Sequence, residues 1–164
     1  MTSYVFECFE FNGVGWVSRA LLELARVEYE NVFPEWPASK GKTPFGRLPV
    51  LTEVSSDGTK FVLAESNAIE LYFADKLEYL PKDSKQRAVA TQYYFQATDL
   101  LDKFLVCTFH DRTERSRERY FDRIKTFIKK HEPILANSKS GYYCEDSITL
   151  ADISLYYIYK NHMT

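Results

Sequence analysis

The segment Tyr4 to Phe9 is short and rich in aromatic and β-branched residues, the pattern of a strand, and Asn12, Gly13 and Gly15 break it. From Trp16 to Ala25 the apolar positions change period: Val17, Ala20, Leu21 and Leu24 recur on one helical face. A second strand is predicted over Val27 to Phe33. A loop from 34 to 47 follows, punctuated by Pro34, Pro37, Gly41 and Pro44. Leu48 to Val54 predicts a third strand, Ser56-Asp57-Gly58 a hairpin turn, and Lys60 to Ala64 the returning strand. Ser66 to Leu77 predicts a helix with Ile69, Tyr72, Phe73 and Lys76 at helical spacing, Ser66 as its N-cap and Glu70 in its first turn. Residues 1–80 therefore read β-α-β-loop-β-β-α.

Beyond Pro81-Lys82-Asp83, which has the character of a linker, the pattern is helical throughout. Ser84 to about His110 predicts a long, aromatic-rich helix. Arg115 to Ala136 predicts an amphipathic one, on which Phe121, Ile124, Phe127 and Ile128 recur. Thr149 to Asn161 opens with Thr149-Leu150-Ala151-Asp152, a capping pattern in which the Thr149 hydroxyl takes a free N–H and Asp152 faces back to the Thr149 backbone. An α/β block over residues 1–80 followed by an all-α block over 84–164 fits two small domains.

Composition narrows the function. Hydrophobic residues are 45% of the 164-residue chain, enough to build a core and so to exclude a disordered chain. The formal net charge of -2 gives no basic surface for nucleic acid. The basic stretch Arg112 to Lys130 is interrupted by Glu114, Glu118 and Asp122 and reads as a solvated helix face. Cys8, Cys107 and Cys144 are odd in number, widely separated and without a C-x-x-C, which argues against a disulfide framework and a zinc site. His110, His131 and His162 form no H-E-x-x-H pair, so no metal is expected. No run approaches the roughly 20 apolar residues of a membrane span, and no signal-peptide pattern opens the chain. A reducing cytoplasm is the expected location.

The most informative segment is Lys42-Thr43-Pro44-Phe45-Gly46-Arg47-Leu48-Pro49-Val50-Leu51. A proline opening a strand donates no hydrogen bond of its own. With a cis Leu48–Pro49 bond, the Leu48 N–H and C=O would turn outward and offer a strand-like edge to a peptide. Farther along, Glu65-Ser66 stands where a strand ends and a helix starts. There the Ser66 N–H and hydroxyl form an anion site at the positive helix end, and the Glu65 carboxylate can pair with an ammonium group. Taken singly, an x-Pro is a turn device and a serine at a helix start is a cap. In the order strand-Pro-hairpin-Glu-Ser-helix, they suit a short zwitterionic peptide.

At these residues the chain resembles the cytosolic glutathione transferase family, with the sigma-like group the nearest in pattern. The resemblance covers nearly the whole chain. It is carried by Tyr4 to Phe9, Trp36-Pro37 with Lys40, Pro44-Phe45-Gly46-Arg47-Leu48-Pro49, Glu65-Ser66-Asn67-Ala68-Ile69, and Gly141 leading to Thr149-x-x-Asp152. It implies a thioredoxin-like glutathione-binding domain followed by an all-α domain. In the family, the matches to Trp36 and Lys40 contact the glycine end of glutathione. The match to Leu48 pairs with the cysteinyl unit beside the cis-proline matched by Pro49, and the matches to Glu65 and Ser66 hold the γ-glutamyl end. Asp99 resembles an aspartate that reaches the partner subunit's glutathione in family dimers. Its alternative reading is a solvent-facing acid.

Departures from the pattern matter. Cys8 stands, in a gapless alignment, where the sigma-like pattern carries a catalytic tyrosine, and an S–H is a weak donor to a thiolate. Cys8 could instead form a mixed disulfide with glutathione, or be a buried inert thiol. Val14 replaces a common arginine. The helical domain lacks the helices that usually follow the Thr-x-x-Asp helix, so the chain resembles a truncated or partner-dependent member, with Leu155, Tyr156 and Ile158 or their neighbours exposed. The function implied is conjugation of glutathione, as substrate, to a small apolar electrophile in detoxification. Phe9, Phe11, Tyr94 and Phe95 are candidates for the apolar pocket, and a homodimer is expected with Phe45 as an aromatic key. The alternative is a non-catalytic scaffold of the same fold, and a third reading is a thiol–disulfide enzyme using Cys8.

Overall fold

Strand β1 (Ser3–Glu7) is the inner strand from which the first sheet grows. It pairs in parallel with β2 (Glu30–Val32) and antiparallel with β3 (Val50–Val54). Strand β4 (Lys60–Ala64) completes a mixed sheet of order β2-β1-β3-β4. The β3–β4 connection is the turn read from Ser56-Asp57-Gly58: Gly58 takes a φ of 85°, which only glycine adopts without strain, and donates to the Ser55 carbonyl at 2.9 Å. The computed structural model describes residues 2–144 and 147–160, and the chain divides into two compact units, Met1–Tyr79 and Leu80–Thr164.

In the first unit, helices α1 (Trp16–Leu24) and α2 (Ser66–Lys76) pack against one another. Alternation along β1 and β3 puts Tyr4, Phe6, Leu51 and Glu53 on one face of the sheet, since Tyr4 pairs with Glu53 and Phe6 with Leu51. Phe6, Leu21, Leu22, Leu51, Ile69 and Phe73 are fully buried, and each stabilises the unit by about 1.5–3 kcal/mol. On α1 the buried set is Val17, Ser18, Leu21 and Leu22; Leu24, expected on the core face, is half exposed because the helix ends there and Ala25 caps it. The polar residue of the sheet face, Glu53, is met by α2: Lys76 Nζ donates to its Oε1 at 2.6 Å and the Tyr72 hydroxyl donates to its Oε2. Burial pushes the Glu53 carboxyl up, but these two bonds outweigh it and hold the group below its ordinary range.

Helix α2 starts one residue earlier than a Ser66 N-cap would give. Glu65, at φ 74° and ψ 117°, occupies the N-cap position, and Ser66 is the first helical residue. Glu70 lies past the first turn and is buried.

The second unit is all-helical: α3 (Ser84–Leu105), a π-helical turn Val106–His110, α4 (Glu114–Ala136) and α5 (Leu150–Ile158). The supposed linker supplies a cap: Asp83 accepts from the Lys85 and Gln86 N–H groups at 3.1 and 2.9 Å. Helix α3 packs on both α4 and α5. The core face of α4 is Tyr120, Ile124, Phe127 and His131, rotated from the predicted stripe, so Phe121 and Ile128 face outward. The capping box of α5 is formed by Asp152, whose Oδ2 accepts from the Thr149 N–H at 2.8 Å and hydroxyl at 2.7 Å. Its other oxygen accepts from the Tyr143 N–H at 2.9 Å, tying the preceding loop to the helix. Ile158, expected to be exposed, is buried, while Tyr156 faces outward. The predicted end of this helix at Asn161 lies outside the described residues.

Candidate functional site

Register decides what meets at one end of the sheet. Glu7, the last residue of β1, pairs with both Val32 at the end of β2 and Val50 at the start of β3, and Val50 pairs with Ala64 at the end of β4. The segments just beyond these positions therefore emerge together: Cys8-Phe9, Phe33 leading to Trp36, Leu48-Pro49, and Glu65-Ser66. The Leu48–Pro49 bond is cis, as is Trp36–Pro37. Pro49 is buried, Leu48 and Ser66 are half-buried, and Glu65 and Lys40 are exposed. The Ser66 position opens an 11-residue helix, whose first-turn N–H groups have no intrahelical acceptor and carry the positive end of the helix dipole. The Glu65 backbone takes a positive φ, an uncommon conformation for a residue with a side chain.

Trp36 and Lys40 flank this end from the long loop. The Trp36 ring meets Phe9 edge-on at 5.6 Å, and Phe9 stacks on Phe11 at 5.4 Å. Lys40 begins a short 3-10 turn, Lys40–Lys42, and its carbonyl accepts from the Thr43 hydroxyl at 3.0 Å.

Cys8 is enclosed. It is 2% exposed, and burial pushes its thiol up despite the opposing Arg19 charge. A Cβ on Gly15 would sit 2.6 Å from its Sγ, so the loop after β1 is closed directly over the sulfur. This environment favours the thiol over the thiolate, and with it the inert-cysteine alternative. Cys107 and Cys144 are buried as well.

The residue that sequence reasoning missed is Arg19. Its Nη2 donates to the Phe9 carbonyl at 2.7 Å, its Nε donates to Asn31 Oδ1 at 3.2 Å, and its guanidinium lies over the Phe6 and Phe33 rings at 5.5 and 5.7 Å. A cation thus stands at the end of β1 although Val14 replaces the loop arginine. It comes from α1, and no local motif marks it.

In the helical unit, Asp99 pairs with Arg123 at 2.8 Å and with Lys103 at 3.4 Å. Tyr94, offered as a pocket residue, is fully buried in the core of that unit, and its neighbour Phe95 is half exposed. A bulky ring facing inward at that turn leaves no surface to line a pocket. Among the described residues, no cluster of His, Cys, Asp or Glu could hold a metal, and no helix is long and apolar enough to cross a membrane.

Comparison with known proteins agrees with this architecture. Residues 5–75 match the model of the glutathione S-transferase N-terminal domain, and residues 98–164 that of the C-terminal domain. Glutathione S-transferase 1 of Ascaris suum is 30% identical over 163 residues, covering 93% of this chain and 77% of that protein. Probable glutathione S-transferase 7 of Caenorhabditis elegans is 31% identical with the same coverage. Among solved structures, the monomeric Na-GST-3 of the hookworm Necator americanus superimposes with a TM-score of 0.80 at 29% identity, over 99% of this chain and 83% of that one. A Nu-class enzyme from Haemonchus contortus does so at 0.72 and 31% identity, over 97% and 80%. The chain belongs to the glutathione S-transferase family.

Proposed function

We propose that the chain is a glutathione transferase that conjugates glutathione to small apolar electrophiles. Trp36 and Lys40 take the glycine end of the tripeptide, Leu48 beside Pro49 pairs with its cysteinyl backbone, and Glu65 with Ser66 holds the γ-glutamyl end. The observation that carries this reading is the β3–β4 register, which brings Leu48-Pro49 and Glu65-Ser66 to the same end of the sheet. Glutathione enters as substrate, and its thiolate attacks the electrophilic carbon and displaces the leaving group. Phe9 and Phe11 supply an apolar surface beside Trp36. Asp99 is left out of this assignment, since Arg123 and Lys103 hold its carboxylate. A cytoplasmic detoxifying role and a homodimer complete the proposal. Phe45, 67% exposed on the loop before β3, is the aromatic contact offered to the second copy.

Titration of the purified chain with glutathione, followed by conjugation of a chlorinated nitroaromatic, tests the reading. Saturable binding with conjugation supports it, and absence of binding overturns it. One observation favours a second reading, a non-catalytic module: the residue at the family tyrosine's position is a buried thiol with its ionisation suppressed by burial. Binding without conjugation is the result that reading requires.

A further inference from the structure

Two exposed arginines of the basic stretch around the start of α4 also border a cleft. Where α3 ends in its π-helical turn and α4 begins, this cleft of about 340 Å³ opens within the helical unit. That size is within the range of small-molecule sites. Phe104, Tyr120 and Phe121 form its aromatic walls, with Tyr120 tilted against Phe104 at 5.8 Å and against Phe121 at 5.7 Å. Cys107 and Thr108 also line it, and Cys107 is turned inward, donating to the Phe104 carbonyl at 3.2 Å. The charged members of the lining are Arg112 and Arg117 alone.

The electrostatics are one-sided. Among the described residues neither guanidinium has an ion-pair partner, whereas Arg123, farther along α4, is held by Asp99 at 2.8 Å. The acid adjacent in sequence, Asp111, accepts from the Thr113 hydroxyl at 2.8 Å and serves the start of α4. Two unneutralised cations beside an aromatic, partly dehydrated wall favour an anion with an apolar body. The planar fork of arginine matches a carboxylate, and aromatic walls match a flat ring.

We propose that this cleft binds a small aromatic carboxylate, with the ring between Phe104, Tyr120 and Phe121 and the carboxylate on Arg112 and Arg117. All of the lining lies between residues 104 and 121, so the site shares no residue with the glutathione site and stands or falls independently of it.

Equilibrium dialysis of the full chain against naphthalene-2-carboxylate tests the proposal. Saturable binding is expected, unchanged by saturating glutathione or S-hexylglutathione. It should fall at least tenfold in the Arg112→Gln/Arg117→Gln double variant, whose substituted side chains are exposed and leave the fold intact by circular dichroism. It should fall similarly for the neutral 2-naphthylmethanol, and also in Thr108→Phe, which fills the cleft and keeps both arginines. No binding, equal binding by the double variant or by the neutral alcohol, or displacement by S-hexylglutathione would each overturn it.

Discussion

The Arg19 guanidinium donates to the carbonyl oxygen of Phe9 at 2.7 Å, so a helix side chain holds the backbone just past the end of β1. Through its second bond, to Asn31 at 3.2 Å, the same group also ties down β2. Phe9 in turn presses its ring edge-on against Trp36. Replacing Arg19 by Ala leaves that carbonyl without its charged donor and should lower stability by about 1–3 kcal/mol, read by urea unfolding. It should also raise the Kd for glutathione by loosening Phe9 and Trp36. Lys at this position supplies one charge but not the two-sided fork, and should not restore either property. Unchanged unfolding and binding in Arg19→Ala would show that the contact has no consequence.

Ser66→Ala removes a hydroxyl at the helix start while keeping the backbone N–H. Glutathione binding should weaken by on the order of 1–3 kcal/mol, the cost of a lost hydrogen bond to a charged group, as measured by calorimetric titration. An unchanged Kd would place the γ-glutamyl end elsewhere.

The enclosure of Cys8 predicts slow chemistry. Iodoacetamide should alkylate it only after unfolding, because both burial and a suppressed thiolate oppose reaction. Gly15→Ala should cost about 1–3 kcal/mol by overpacking, since the new methyl would meet Cys8 Sγ at 2.6 Å. Rapid labelling of Cys8 in the native protein would contradict the inert role and revive the thiol–disulfide reading.

His131 gives a pH dependence. Its Nδ1 lies 2.6 Å from the Tyr143 hydroxyl, its ring stacks on Phe127 at 3.8 Å, and burial lowers its pKa. Because the folded state disfavours the proton, the stability contributed by neutral His131 is complete above the unfolded value of about 6.5. It is lost as pH falls through the lower folded value. His131→Gln keeps a hydrogen-bonding group that does not titrate, so thermal unfolding of this variant should lose less stability than the wild type as pH drops from about 7 to 5. Parallel profiles for the two proteins would refute this.

Much of the fold was legible because it is written in local chemistry. The turn at Ser56-Asp57-Gly58 depends on one residue that accepts a positive φ, and β4 begins and ends where the pattern places it. The capping box at Thr149 and Asp152 is likewise a matter of four consecutive residues. The stripe on α4 was misjudged by one position. Phe121 and Tyr120 are both large and aromatic, and only the packing of α4 against α3 and the π-helical turn selects which of them turns inward. Leu24 differs for a similar reason, lying on a continuous apolar pattern but at the last residue of the helix, where it is half exposed.

By itself the sequence determined the order of strands and helices, the hairpin, the capping box at Thr149 and Asp152, and the residue types of the candidate site, because each rests on spacing or on backbone preference within a few residues. Tertiary structure alone decided that four strand ends converge on Leu48-Pro49 and Glu65-Ser66. It also decided that Arg19 reaches Phe9, that Cys8 is sealed under Gly15, and that Arg112 and Arg117 line an aromatic cleft. Those relationships join residues from different elements, and their distances depend on register and helix packing, which no local pattern encodes.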